Sequence, residues 1–129
     1  MLRSLVFLVA LVTASGIAAA AVQKHDVPTR FQGEWNAHIE HCGSGQDESR
    51  LGIAAREIRF YESTGPVRAV VIQGRSDLAV IIELSGEGET QLFFKHFRLS
   101  ADRKQLVDVT GESKFVRYRC PIKVNGRAG

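Results

Sequence analysis

His38-Ile39-Glu40-His41-Cys42 gathers four side chains able to ligate a metal within five residues. A metal site would need several of them on one side of the backbone. The apolar/polar alternation from Phe31 onward predicts an extended strand, which puts His38 and Glu40 on one face and turns His41 to the other. The spacing therefore predicts no metal centre, and nothing else in the chain calls for a cofactor. Other chemistry is equally sparse. Gly43-Ser44-Gly45 lacks the full Gly-x-Ser-x-Gly elbow, and no glycine-rich loop leads into a helix as a nucleotide site requires. His96 can titrate near neutrality, but no acid and nucleophile can be named beside it.

Two surface features are better suited to recognition than to catalysis. Residues 43 to 50 contain no apolar side chain and read as an exposed loop, so Ser44, Gln46, Asp47, Glu48 and Arg50 are the candidate partner-binding residues. Toward the C-terminus, Arg117 and Arg119 share one face of a predicted strand and form a short positive stripe.

Before those segments comes a leader. Arg3 supplies a positive start, Leu5 to Val12 an unbroken apolar run, and Ala18 to Ala21 a small-residue cleavage site, the pattern of an export signal over residues 1–21. A retained anchor is the rival reading, though Thr13, Ser15 and Gly16 interrupt the apolar stretch. Cleavage leaves about 108 residues, enough for one domain. The whole chain carries a formal charge of +3, and losing Arg3 lowers it by one. That level calls for no nucleic-acid partner. The mature chain is divided into a flexible linker over 22–30, one domain over 31–121 and a loose tail over 122–129. Periplasmic or secreted localisation follows, with no membrane span after cleavage. In such an oxidising compartment the two cysteines, Cys42 and Cys120, are expected to form a disulfide.

The elements that position these residues are strands. Runs at 31–40, 51–62, 67–72, 78–84, 91–99, 106–110 and 115–120 alternate or are β-branched, and Gly, Pro, Asp and Ser turns separate them. No segment after the leader shows sustained helical periodicity, with Ala54 to Phe60 the nearest to it. The fold class is all-β, a small antiparallel barrel or sandwich of about seven to eight strands. In segment 51–62, Leu51 and Ile53 share one parity and Ile58 and Phe60 the other, which a β-bulge within one bent strand would reconcile. A disulfide joining the ends of the first and last strands favours an odd count, since an even one would place the cysteines at opposite rims.

Gly33-x-Trp35 in the first strand resembles the opening of the calycins, the lipocalin and avidin-like barrels. The resemblance implies that Trp35 packs across the closed end of a barrel, with an Arg of the last strand, Arg117 or Arg119, laid over it as a cation on an indole face. It also implies a ligand cavity, although the six phenylalanines after the leader could fill one. Three functions stay open. The first is a non-enzymatic exported binding or envelope accessory protein, with a small hydrophobic molecule as candidate ligand. The second is a protein-binding module such as a lysozyme-type inhibitor of a secreted enzyme. The third is a hydrolase using His38 or His96.

Overall fold

In the computed structural model, which describes residues 19–122, period-two patterning builds nine strands. They are β1 (Ala21–Lys24), β2 (Gly33–Asn36), β3 (Leu51–Ile53), β4 (Glu57–Phe60), β5 (Thr64–Gln73), β6 (Asp77–Gly86), β7 (Glu89–Leu99), β8 (Gln105–Asp108) and β9 (Phe115–Arg119). From β2 to β9 each strand pairs antiparallel with the next, and β9 returns to β2, closing an eight-stranded barrel. β1 lies outside this ring, paired with Val70–Gln73 of β5. The predicted all-β antiparallel architecture is therefore the one observed. The first 18 residues of the predicted leader and residues 123–129 of the tail lie outside the described residues.

Inward side chains of alternating parity fill the barrel. Trp35, Phe31, Phe97, Leu51, Ile58, Leu78, Ile82 and Leu106 are fully buried, with Val27, Val70 and Val80 beside them. Each buried aliphatic or aromatic side chain contributes roughly 1.5–3 kcal/mol relative to exposure, so this set outweighs the surface ion pairs, each worth about 0–1 kcal/mol.

Several local expectations are corrected. Residues 22–30 are not a flexible linker, because Val22 to Lys24 belong to β1 and Val27 is 1% exposed, its amide bonded to the Ala55 carbonyl. A 3-10 turn at Thr29–Phe31 then swings Phe31 into the core. Too few apolar residues lie in this stretch for periodicity to show. The parity change in 51–62 is a hairpin between β3 and β4, closed by the Ala54 amide on the Glu57 carbonyl, rather than a bulge. Nor is 54–60 helical. A register shift does occur, between Val67 and Ala69 of β5.

The count is thus even, and yet Cys42 and Cys120 are joined, with Cα atoms 5.7 Å apart. Parity was misleading because β2 ends at Asn36, six residues before Cys42. A second 3-10 turn, Ile39–His41, brings the chain back to Cys120, whose amide bonds to Glu34 of β2.

The β2–β9 seam is short, with only Trp35 opposite Arg119 and Asn36 opposite Tyr118. Side chains reinforce it. The Arg119 guanidinium lies 4.2 Å from the centroid of the Trp35 ring and donates to the carbonyls of Gln32, Arg30 and Arg103 at 2.7–2.9 Å. The indole N–H donates to the Phe31 carbonyl at 3.0 Å. Of the two arginines named for the barrel end, Arg119 occupies it, and Arg117 lies elsewhere.

Two stability predictions follow from this architecture. Replacing both cysteines by alanine should lower unfolding free energy by about 2–5 kcal/mol in a denaturant titration, the range for losing a native disulfide in a small exported domain. At Gly65, a Cβ would lie 1.9 Å from the Glu83 carbonyl oxygen, a backbone atom that cannot step aside. Gly65→Ala should therefore cost about 3 kcal/mol or more, at the upper end of overpacking penalties, in the same titration.

Candidate functional site

The long connection from β2 to β3, residues 37–50, forms one wall of an open pocket of about 950 Å³ at the barrel mouth. Gly43 and Gly45 take positive φ angles of 80° and 71°, which let the loop reverse tightly after Cys42. Asn36, only 2% exposed, anchors the start of the loop, its side-chain oxygen accepting the His38 amide at 2.8 Å.

His38 and His41 bracket the 3-10 turn. At three residues per turn, positions i and i+3 eclipse, so the two imidazoles face the same way. The extended geometry expected from sequence had set them on opposite faces. Their Nδ1 atoms lie 3.0 Å and 2.6 Å from one oxygen, Oδ2 of Asp47. An ionised carboxylate only accepts, so both Nδ1 atoms carry hydrogens in this arrangement. Oδ1, the other Asp47 oxygen, takes the Ser49 amide at 2.8 Å and the Ser49 hydroxyl at 2.6 Å. Hydrogen bonds from the Ser49 hydroxyl, His41 and the Ser49 amide hold the Asp47 carboxyl well below the usual carboxylate range.

The opposite wall comes from inward positions of β7, β8 and β9. Lys95 shares inward parity with Phe97 and Leu99, and its ammonium donates to Asp108 Oδ2 at 2.9 Å. Asp108 also accepts the Thr110 amide at 3.0 Å. Burial opposes ionisation of Asp108, but the Thr110 hydroxyl and amide and the Lys95 ammonium outweigh it and lower its pKa. Arg117 lies over the Phe115 ring at 4.7 Å and donates through Nε to the Ser49 carbonyl at 2.7 Å. Its Nη1 is buried and without a hydrogen-bond partner. Burial lowers the Arg117 pKa, while the Asp108 charge pushes it back up.

Of the candidate partner-binding residues, Ser44, Gln46, Asp47 and Glu48 line this pocket. Ser44 is tied to the His41 carbonyl at 2.8 Å. Arg50 does not join them and pairs instead with Glu34 of β2 at 3.6 Å. Sequence reasoning missed Lys95, Asp108, Ser49 and the placement of Arg117. A lysine on the inward parity of an apolar strand was the one signal for the first of these.

His96 is on the outer face of β7, where its Nε2 lies 2.8 Å from Asp77 Oδ1 and Arg98 donates to the same oxygen at 3.2 Å. The Ser76 hydroxyl donates to Asp77 rather than to His96, so this set does not form a nucleophile–base pair. Farther along, β6 and β7 continue as a ribbon past their neighbours, since β8 pairs with β7 only at 97–99. Leu92 and Phe94 on that ribbon are 66% and 56% exposed.

No known protein family, curated protein or solved structure matches this chain.

The Asp108 network sets an acid-side dependence. A carboxylate with a depressed folded pKa stabilises fully above its unfolded value of about 3.9, and that contribution is lost as pH falls toward the folded value. Lys95→Met should raise the Asp108 midpoint in a carboxyl ¹³C NMR titration and start the acid limb of the stability profile at higher pH.

Proposed function

We propose that the protein is an exported, non-enzymatic binding protein of calycin-like architecture that takes its ligand at the barrel mouth. Export is supported by the leader pattern and by the Cys42–Cys120 bond, which suits an oxidising compartment. Among the described residues no helix is long and apolar enough to cross a membrane. The calycin-like reading is supported by Arg119 stacked on Trp35 of the Gly33-x-Trp35 motif.

The mouth is favoured over the barrel interior because aromatic and aliphatic side chains occupy the interior. A small hydrophobic ligand has little room there. The mouth pocket is instead walled by Asp47, Lys95, Asp108 and Arg117 over a Phe115 ring. The observation that carries the ligand class is Arg117, a largely enclosed guanidinium lining the pocket whose neighbouring carboxylate, Asp108, is already engaged by Lys95. Such a group favours a ligand with a carboxylate, phosphate or sulfate that can accept from it. Phe115 would offer that ligand an apolar contact.

Exposure of Leu92 and Phe94 on the free edge of the β6–β7 ribbon supports a second reading, a protein-binding module such as a secreted-enzyme inhibitor. There the ribbon, rather than the stapled 43–50 loop, would meet the partner.

Native mass spectrometry of protein recovered from an oxidising export compartment, compared with its denatured mass, separates the two. The first reading predicts an extra mass that denaturation releases, belonging to an acidic molecule, and an Arg117→Gln protein that still unfolds cooperatively but is recovered bare and melts below the loaded wild type. A bare wild-type protein that also shows no thermal shift with carboxylates, phosphates or sulfates would reject it in favour of the ribbon.

A further inference from the structure

We propose that His38, His41 and Asp47 form a binding site for a divalent transition-metal ion of the zinc type, a function separate from the acidic-ligand reading. Ligand atoms of these three residues all lie within 4.8 Å of one another. Two imidazole nitrogens and one carboxylate oxygen are the donor set that zinc and its neighbours in the first transition row prefer over magnesium or calcium.

The required adjustment is small. With metal–ligand bonds of about 2.0–2.1 Å, a tetrahedral site spaces its donor atoms about 3.3 Å apart. Each Nδ1 now sits 2.6 or 3.0 Å from the Asp47 oxygen, so an entering ion needs these two separations to widen by less than about an ångström. The imidazole protons move from Nδ1 to Nε2 on binding, which leaves both rings neutral and the Nδ1 lone pairs free for the ion. Both Nδ1 atoms converge on Asp47 Oδ2, and the rings, tilted at 51° with centroids 5.3 Å apart, do not stack face to face.

The surroundings hold the donors in place. Asp47 is 9% exposed, and Ser49 saturates its second oxygen, so the first is directed at the histidines. His41 adjoins Cys42, which the disulfide fixes against β9. The histidine side chains are more than half exposed, which leaves the ion an entry path and keeps a coordination position open.

The test is equilibrium dialysis and calorimetry with Zn²⁺, using untagged, disulfide-bonded protein carrying His25→Ala so that the N-terminal segment contributes no imidazole. The expected result is one Zn²⁺ per chain, not displaced by millimolar Mg²⁺, with loss of stoichiometric uptake in His41→Ala. Ser49→Ala, which keeps all three ligands but releases the carboxylate, should weaken uptake about tenfold. Imidazole ¹⁵N shifts should report coordination at Nδ1 of His38 and His41, a signature that loss of folding cannot imitate. Absence of stoichiometric uptake by the parent protein, or uptake unchanged by His41→Ala, overturns the site. Zn²⁺ uptake and the acidic mass released on denaturation are read independently, so either reading can fail alone.

Discussion

Closure of the barrel between its first and last strands is the constraint on which the other features depend. β2 and β9 share only two residue pairs, the shortest register in the ring. Arg119 reinforces it. Its planar fork reaches three carbonyls while its face covers Trp35, so one side chain joins the end of β9 to the segment entering β2 and to the turn before β8. Beside it, the disulfide ties the excursion after β2 to the end of β9.

That tie also builds the mouth. Because Cys42 must reach Cys120, the chain cannot run straight from β2 into β3 and is diverted through a 3-10 turn and a glycine-bearing reversal. The turn eclipses His38 and His41, and the reversal brings Asp47 beneath them. Ser49 then links the halves of the pocket, its amide and hydroxyl holding Asp47 and its carbonyl accepting Arg117. Polar groups thus gather where the apolar interior ends. Lys95 and Asp108 pair there because a charge at that depth is stable only with a partner.

Strands and turns were legible because alternation and punctuation are local signals. The runs 78–84 and 91–99, with a turn between them, read directly as the adjacent strands β6 and β7. The hairpin within 51–62 was hidden, since a two-sided parity change is the same in sequence whether the chain bulges or reverses. Val27 was unreadable as core because a single apolar residue in a polar stretch acquires meaning only from what lies above it. The calycin-like pairing named two arginines and only the register of β9 distinguished them.

What the sequence by itself determined was the all-β class, the cysteine pair and the polar character of 43–50, all consequences of composition and period. The tertiary structure decided the even strand count, the choice of Arg119 over Arg117 at the barrel end, and the convergence of His38, His41 and Asp47. These depend on where the chain reverses and which distant residues a disulfide brings into register. Neighbouring residues cannot encode that, because the same tripeptide spacing lies on opposite faces of a strand and on one face of a 3-10 turn.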